Sequence, residues 1–183
     1  MQWNQTYGGT GYDEATALVQ TADGGYALAG DTTSFGGGGP NIWLVKTYAN
    51  GTMQWNKTYV GTWASYDEAL VQTSDGGYAL TGRIFDTVLI KTDAYGNMQW
   101  NKNYSGINGW YRAFALLQTT DGGIVVAGGV KYRGAYNYDF WLVKTDVESG
   151  LAWIDSTANT ITLCRGATDA YWNFVRVRLW KPR

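Results

Sequence analysis

Met53-Gln54-Trp55-Asn56 repeats Met1-Gln2-Trp3-Asn4, returns as Met98-Gln99-Trp100-Asn101, and fades to Leu151-Ala152-Trp153. Between copies stands a second block, Gln20-Thr21-Ala22-Asp23-Gly24-Gly25-Tyr26, matched at 72–78 and 118–124. A third, Asn41-Ile42-Trp43-Leu44-Val45-Lys46-Thr47, is matched at 86–92 and 139–145. A period of roughly 50 residues marks a repeat architecture, in which no unit can bury its apolar face alone. The units are 1–52, 53–97 and 98–150, followed by a terminal hairpin at 151–183, all in one repeat domain spanning 1–183.

Each unit reads as four strands. The first is the Met-Gln-Trp-Asn segment, whose alternation suits two different faces. Its tryptophans, Trp3, Trp55, Trp100 and Trp153, share one register and read as packing between neighbouring sheets. The second strand ends at the Gln-Thr pair (15–21, 69–73, 113–119). Asp-Gly-Gly then turns the chain, because glycine supplies the positive φ of a tight hairpin. Those aspartates lack the spacing of a helix-loop-helix calcium loop. The third strand runs to Gly30, Gly82 and Gly128. The fourth, as in Trp43/Val45 against Ile42/Leu44, is apolar on both faces and reads as covered on both sides. Lys46, Lys91 and Lys144 end it, either paired with carboxylates such as Asp13/Glu14 and Asp67/Glu68 or solvated. Variation is confined to the connection between the last two strands, long at 31–40 and 130–138 and minimal at 83–85, as in a scaffold carrying its loops on one rim. The tail (161–165 and 171–180) reads as two strands outside the repeat.

The expected fold is therefore all-β: a β-propeller of about four antiparallel blades, three from the repeats and a composite one from both chain ends. A second arrangement leaves those ends open, to be filled by a neighbouring chain in a shared ring or a filament. Kelch and WD40 units have similar lengths, but the Gly-Gly doublet here precedes a strand and no Trp-Asp pair follows. Over Met1 to Trp153 the blocks more closely resemble the Asp-Gly-Gly-Tyr repeats of secreted and cell-surface proteins of archaea and bacteria. The segment 161–180 resembles the closing segment of the archaeal members. That resemblance implies a propeller fold and a surface location, and no shared catalytic residues.

Composition excludes several functions. The net charge of -1 lacks the basic footprint of a nucleic-acid binder. No apolar run is long enough to span a membrane, and no signal-peptide pattern is visible. Met1 sits at a repeat position, so the chain reads as cut at a repeat boundary, with a plain cytosolic start as the competing reading. The sequence has no His, the usual general base and zinc ligand. Its one cysteine, Cys164, reads as a small buried apolar residue, with an intermolecular disulfide as the alternative.

The expected function is a non-enzymatic structural or adhesive module, extracellular or on the cell surface, with no cofactor and no metal. Its expected partners are a second copy, glycans or surface proteins. Asn4, Asn50, Asn56 and Asn103 begin N-glycosylation sequons. The alternative is a carbohydrate- or protein-binding module using Trp63, Trp110, Tyr111, Tyr132, Tyr136 and Tyr138, which sit where the repeats do not match. A glycoside hydrolase would need a carboxylate pair, for which Asp13, Asp67, Asp86 and Asp139 are the available residues.

Overall fold

The computed structural model describes residues 2–37, 39–59, 69–84, 86–105, 109–146, 154–157, 160–165 and 173–178. Every regular element among them is a strand, and every strand pair is antiparallel. The first sheet is β1 (Asp13–Gln20), β2 (Tyr26–Thr32), β3 (Asn41–Thr47) and β4 (Met53–Tyr59), in that order. The second is β5 (Leu70–Gln72), β6 (Tyr78–Ile84), β7 (Asp86–Thr92) and β8 (Met98–Tyr104). The third holds β9 (Gly109–Gln118), β10 (Ile124–Tyr132) and β11 (Asp139–Thr145), with β10 central. A fourth holds β12 (Ile154–Thr157), β13 (Thr160–Arg165) and β14 (Asn173–Arg178). No helix among the described residues is long and apolar enough to cross a membrane.

The repeat is phased differently from the sequence reading. Met-Gln-Trp-Asn does not open a sheet. It closes the preceding one, because Met53–Tyr59 pairs with β3 and Met98–Tyr104 with β7. The leading copy, residues 2–7, has no strand partner among the described residues. β12–β14 pair only with one another among them, so the expected composite sheet from both chain ends is not formed there.

The first three sheets stack in chain order through two apolar layers. Ile42, Leu44 and Tyr59 of the first sheet meet Tyr78, Leu80, Val88 and Ile90 of the second. The opposite face of the second sheet, with Ala79, Leu89 and Tyr104, meets Ala113, Val126 and Val143 of the third. Side chains alternate along a strand, so a sheet buried on both faces needs apolar residues at successive positions. β3 meets that requirement and is buried along its whole length.

The ties between sheets recur. The Tyr59 hydroxyl donates to the Gly96 carbonyl at 2.8 Å, and the Tyr7 hydroxyl donates to the equivalent Gly51 carbonyl. Trp55 packs on Tyr78 with ring centroids 5.8 Å apart, and Trp3 on Tyr26 at 5.9 Å. The Gln72 side-chain oxygen accepts from the Ala22 amide at 2.8 Å, and that of Gln118 from the Ser74 amide at 2.7 Å. Residues 2–7 thus sit on the first sheet as β4 sits on the second.

Candidate binding surface

The most regular polar constellation surrounds each Asp-Gly-Gly turn. In the first, the Asp23 carboxylate accepts the Thr21 hydroxyl, the Gly25 amide at 3.0 Å and the Lys46 ammonium at 2.9 Å. Lys46 also donates to the Thr47 carbonyl at 2.8 Å. Asp75 accepts from Thr73, Gly77 and Lys91, and Asp121 from Thr119, Gly123 and Lys144. The strand-ending lysines are therefore paired, with the turn aspartates and not with Asp13/Glu14. Two glycines are needed for different reasons. Gly24 has φ +82° with open space around it, while a Cβ on Gly25 would stand 2.1 Å from the Thr47 carbonyl oxygen.

These contacts set the acidity of the turns. Hydrogen bonds from Thr21 and then Lys46 hold the Asp23 carboxyl far below the usual carboxylate range. Burial pushes Asp75 upward, but the bonds from Lys91 and Thr73 outweigh it and its pKa falls. Lys144 and then Thr119 pull Asp121 down to about 2. Such aspartates are fixed anions at neutral pH, unsuited to donating a proton.

Of the four hydrolase carboxylates, Asp13 and Asp139 have described side chains. Asp13 lines a shallow cleft with Tyr7, Leu28, Trp43 and Val45, and Glu14 lines it too. Asp13 accepts from the Gly9 amide at 2.9 Å, the Ser34 hydroxyl at 2.6 Å and the Thr32 hydroxyl. Burial opposes ionisation of Asp13, yet these bonds lower its pKa. Glu14 accepts from the Tyr12 hydroxyl. Asp139 begins β11 and is exposed. The Asp67 position and the Asp86 side chain lie outside the described residues. Among the described residues no group of three or more His, Cys, Asp or Glu side chains could hold a metal.

The aromatic residues divide by face. Trp110 and Tyr111 do not lie in an irregular segment but in β9, whose hairpin with β10 continues to Gly109 and Tyr132. Adjacent strand residues point to opposite faces. Tyr111 turns inward and packs edge-on against Trp141 at 5.2 Å, as does Tyr104. Trp110 points outward with its cross-strand partner Lys131, and Arg112 pairs with Gly129 on the same face. The Tyr138 ring lies over this face, 5.4 Å from the Arg112 guanidinium carbon and 5.9 Å from the Lys131 ammonium. Trp110, Tyr132, Tyr136 and Tyr138 are all exposed, Tyr136 almost completely at 95%. Four of the six expected aromatics thus gather at one end of the third sheet, Tyr111 is a packing residue, and Trp63 lies outside the described residues. Repeat mismatch located the aromatics. The two cations were missed, though β-strand alternation with Trp110 was a readable signal for Arg112.

Asn4, Asn50, Asn56 and Asn103 are all exposed. The Asn56 side chain is engaged, accepting from the Trp43 indole at 3.2 Å. The Cys164 side chain and the Trp153 position lie outside the described residues.

No protein-family model matches this chain, and no curated protein matches it. Among solved structures, the chain is similar to a protein of unknown function from Bacteroides caccae, at 12% identity and a TM-score of 0.42. The alignment covers 90% of this chain and 61% of that protein, so the chain spans less than two thirds of its length.

Proposed function

We propose that this chain is a non-enzymatic structural or adhesive module of the extracellular or cell-surface space, its sheets arranged on the plan of a β-propeller. The observation that carries this reading is where the recurring polar groups go. Each Asp-Gly-Gly aspartate is bound to its own lysine, threonine and glycine, and two of the recurring Gln-Thr glutamines, Gln72 and Gln118, tie one sheet to the last. Residues that repeat with the sheets serve the sheets. Incubating the protein with a panel of polysaccharides and esters tests the reading, with no turnover expected. Turnover abolished by Asp13→Asn would overturn it.

A second reading is favoured by the outward face of the third sheet. Trp110 and Tyr138 offer flat apolar faces for a sugar ring, and Arg112 and Lys131 beside them offer positive charge. That combination suits an acidic glycan. Retention on uronic-acid or sulfated glycan arrays, reduced at least tenfold by Trp110→Ala with Tyr138→Ala, is the expected result. Equal retention of neutral sugars would count against it.

A further inference from the structure

The interface formed twice inside this chain is left open on the third sheet and partly open on the first. Leu44 and Leu89 occupy equivalent places in β3 and β7, each covered by the next sheet. Their equivalent in β11, Leu142, is 66% exposed, and Phe140, equivalent to the fully buried Ile42, is fully exposed. At the other end, Leu70 and Leu116 pack against the preceding sheet, while the equivalent Leu18 is 65% exposed. Gln20, equivalent to Gln72 and Gln118, is exposed as well. The exposed face of the third sheet is thus one half of the internal interface, and the β1 side of the first sheet is the other half, while Trp43 and Val45 on its β3 side are already buried beside Tyr7.

The missing strand follows the same logic. β3 and β7 carry β4 and β8 on their outer edges, whereas β11 has no partner on that edge among the described residues. Residues 1–7, Met-Gln-Trp-Asn-Gln-Thr-Tyr, match Met53–Tyr59 at 6 of 7 positions, and β11 matches β3 at 5 of 7. Residues 2–7 already rest on the first sheet through the Trp3–Tyr26 and Tyr7–Gly51 contacts. They have the position of a last strand that has no sheet of its own among the described residues.

We propose that a second copy of this chain docks head-to-tail, its first sheet stacking on the third sheet of its neighbour and its residues 1–7 completing that sheet beside β11. The register follows from the β3–β4 pair, in which Lys46 faces Trp55, Leu44 faces Lys57 and Ile42 faces Tyr59. Lys144 then faces Trp3 of the second copy, Leu142 faces Gln5, and Phe140 faces Tyr7. Such an interface is heterologous, so it propagates as a filament or closes into a ring of several copies. It goes beyond the module reading by naming the partner and the edge. The acidic-glycan face overlaps it, since Arg112 and Phe140 share one row across Gly129.

Light scattering of the full chain over a concentration series tests the proposal. Mass is expected to rise with concentration, and Leu142→Glu, at a position already exposed, is expected to shift that rise by at least tenfold. A Leu142→Glu chain keeps its head, and a Leu18→Glu chain lacking residues 1–7 keeps its tail. Each should be monomeric alone, and their mixture should give a one-to-one complex. In a Cys164→Ser background, Gln5→Cys on one chain should form a disulfide with Leu142→Cys on another, and not with Val143→Cys. A native chain that stays monomeric at every concentration would overturn the proposal, as its own tail would then cover the third sheet. A Gln5–Leu142 disulfide formed only within one chain would overturn it too, in favour of closure on itself. Glycan retention is measured on the Leu18→Glu chain lacking residues 1–7, which is monomeric alone and keeps the third sheet unaltered, so loss of assembly and loss of sugar binding are read separately.

Discussion

The Lys46 ammonium stands 2.9 Å from the Asp23 carboxylate across the mouth of the first Asp-Gly-Gly turn, with the lysine side chain only 5% exposed and the aspartate half in solvent. The asymmetry of burial makes the two partners unequal. Asp23→Asn leaves a nearly buried ammonium facing a neutral amide, with an expected loss of about 1–3 kcal/mol. Lys46→Met removes the charge together with its need for a partner and keeps most of the apolar stem, so the expected loss is below about 1 kcal/mol. Urea unfolding of the two variants measures the difference, and equal losses would refute the asymmetry.

The same turns predict an acid limb of stability. Asp23, Asp75 and Asp121 have folded pKa values below the unfolded value of about 3.9. A depressed carboxylate contributes stability above its unfolded pKa and loses it as pH falls through the folded one. Thermal midpoints should therefore fall as pH drops from about 4 towards the Asp121 value of about 2. Asp121→Asn should flatten that slope. An unchanged slope would show that the Lys144 contact does not persist in solution.

At the alkaline end the tyrosines act in the opposite sense. Burial, aided by the Asp23 charge, pushes Tyr78 up to about 12. Burial raises Tyr59 and Tyr104 as well. A raised pKa means stability complete below the unfolded value of about 10 and lost as pH rises through the folded one. Tyrosinate absorbance should show these phenols ionising together with unfolding between about pH 10 and 12. Their titration near pH 10 in a still-folded protein would contradict the burial.

The two glycines of one turn should respond differently to a methyl group. Gly24→Ala meets nothing within 4 Å and is opposed only by its φ of +82°, so the expected cost is about 1–2 kcal/mol. Gly25→Ala drives its Cβ to 2.1 Å from the Thr47 carbonyl oxygen, where backbone must move, and should cost more than Gly24→Ala. Comparing the two chemical-denaturation midpoints decides it.

Neighbours in β9 should also diverge. Tyr111→Ala removes the ring packed on Trp141 and should cost about 2–4 kcal/mol. Trp110→Ala faces outward and should change stability by less than about 0.5 kcal/mol, while weakening acidic-glycan retention.

The strand blocks, the hairpin turns and the position of the variable connections were legible from residues alone. Alternation, Asp-Gly and doubly apolar runs are local signals, and local sterics enforce them. The doubly apolar Asn41–Thr47 block signalled a strand buried on both faces, and β3 is one. The phase of the sheet was not legible. A periodic sequence looks the same wherever the cut is placed, and only the hydrogen bonds of Met53–Tyr59 to β3 show that the block closes a sheet. The partner of Lys46 was also hidden, since Asp23 lies 23 residues away and meets it only after two turns bring three strands together.

The sequence by itself determined that this protein is a stack of like units, because repeated alternation and repeated turn glycines leave each unit no other way to bury its apolar face. Only the tertiary structure decided which faces remain uncovered. Leu142 reads like its buried counterparts Leu44 and Leu89, and Leu18 like the half-buried Leu70, and no residue-level signal separates them. Burial depends on whether a neighbouring sheet exists on that side, and that is a property of where a residue falls in the stack.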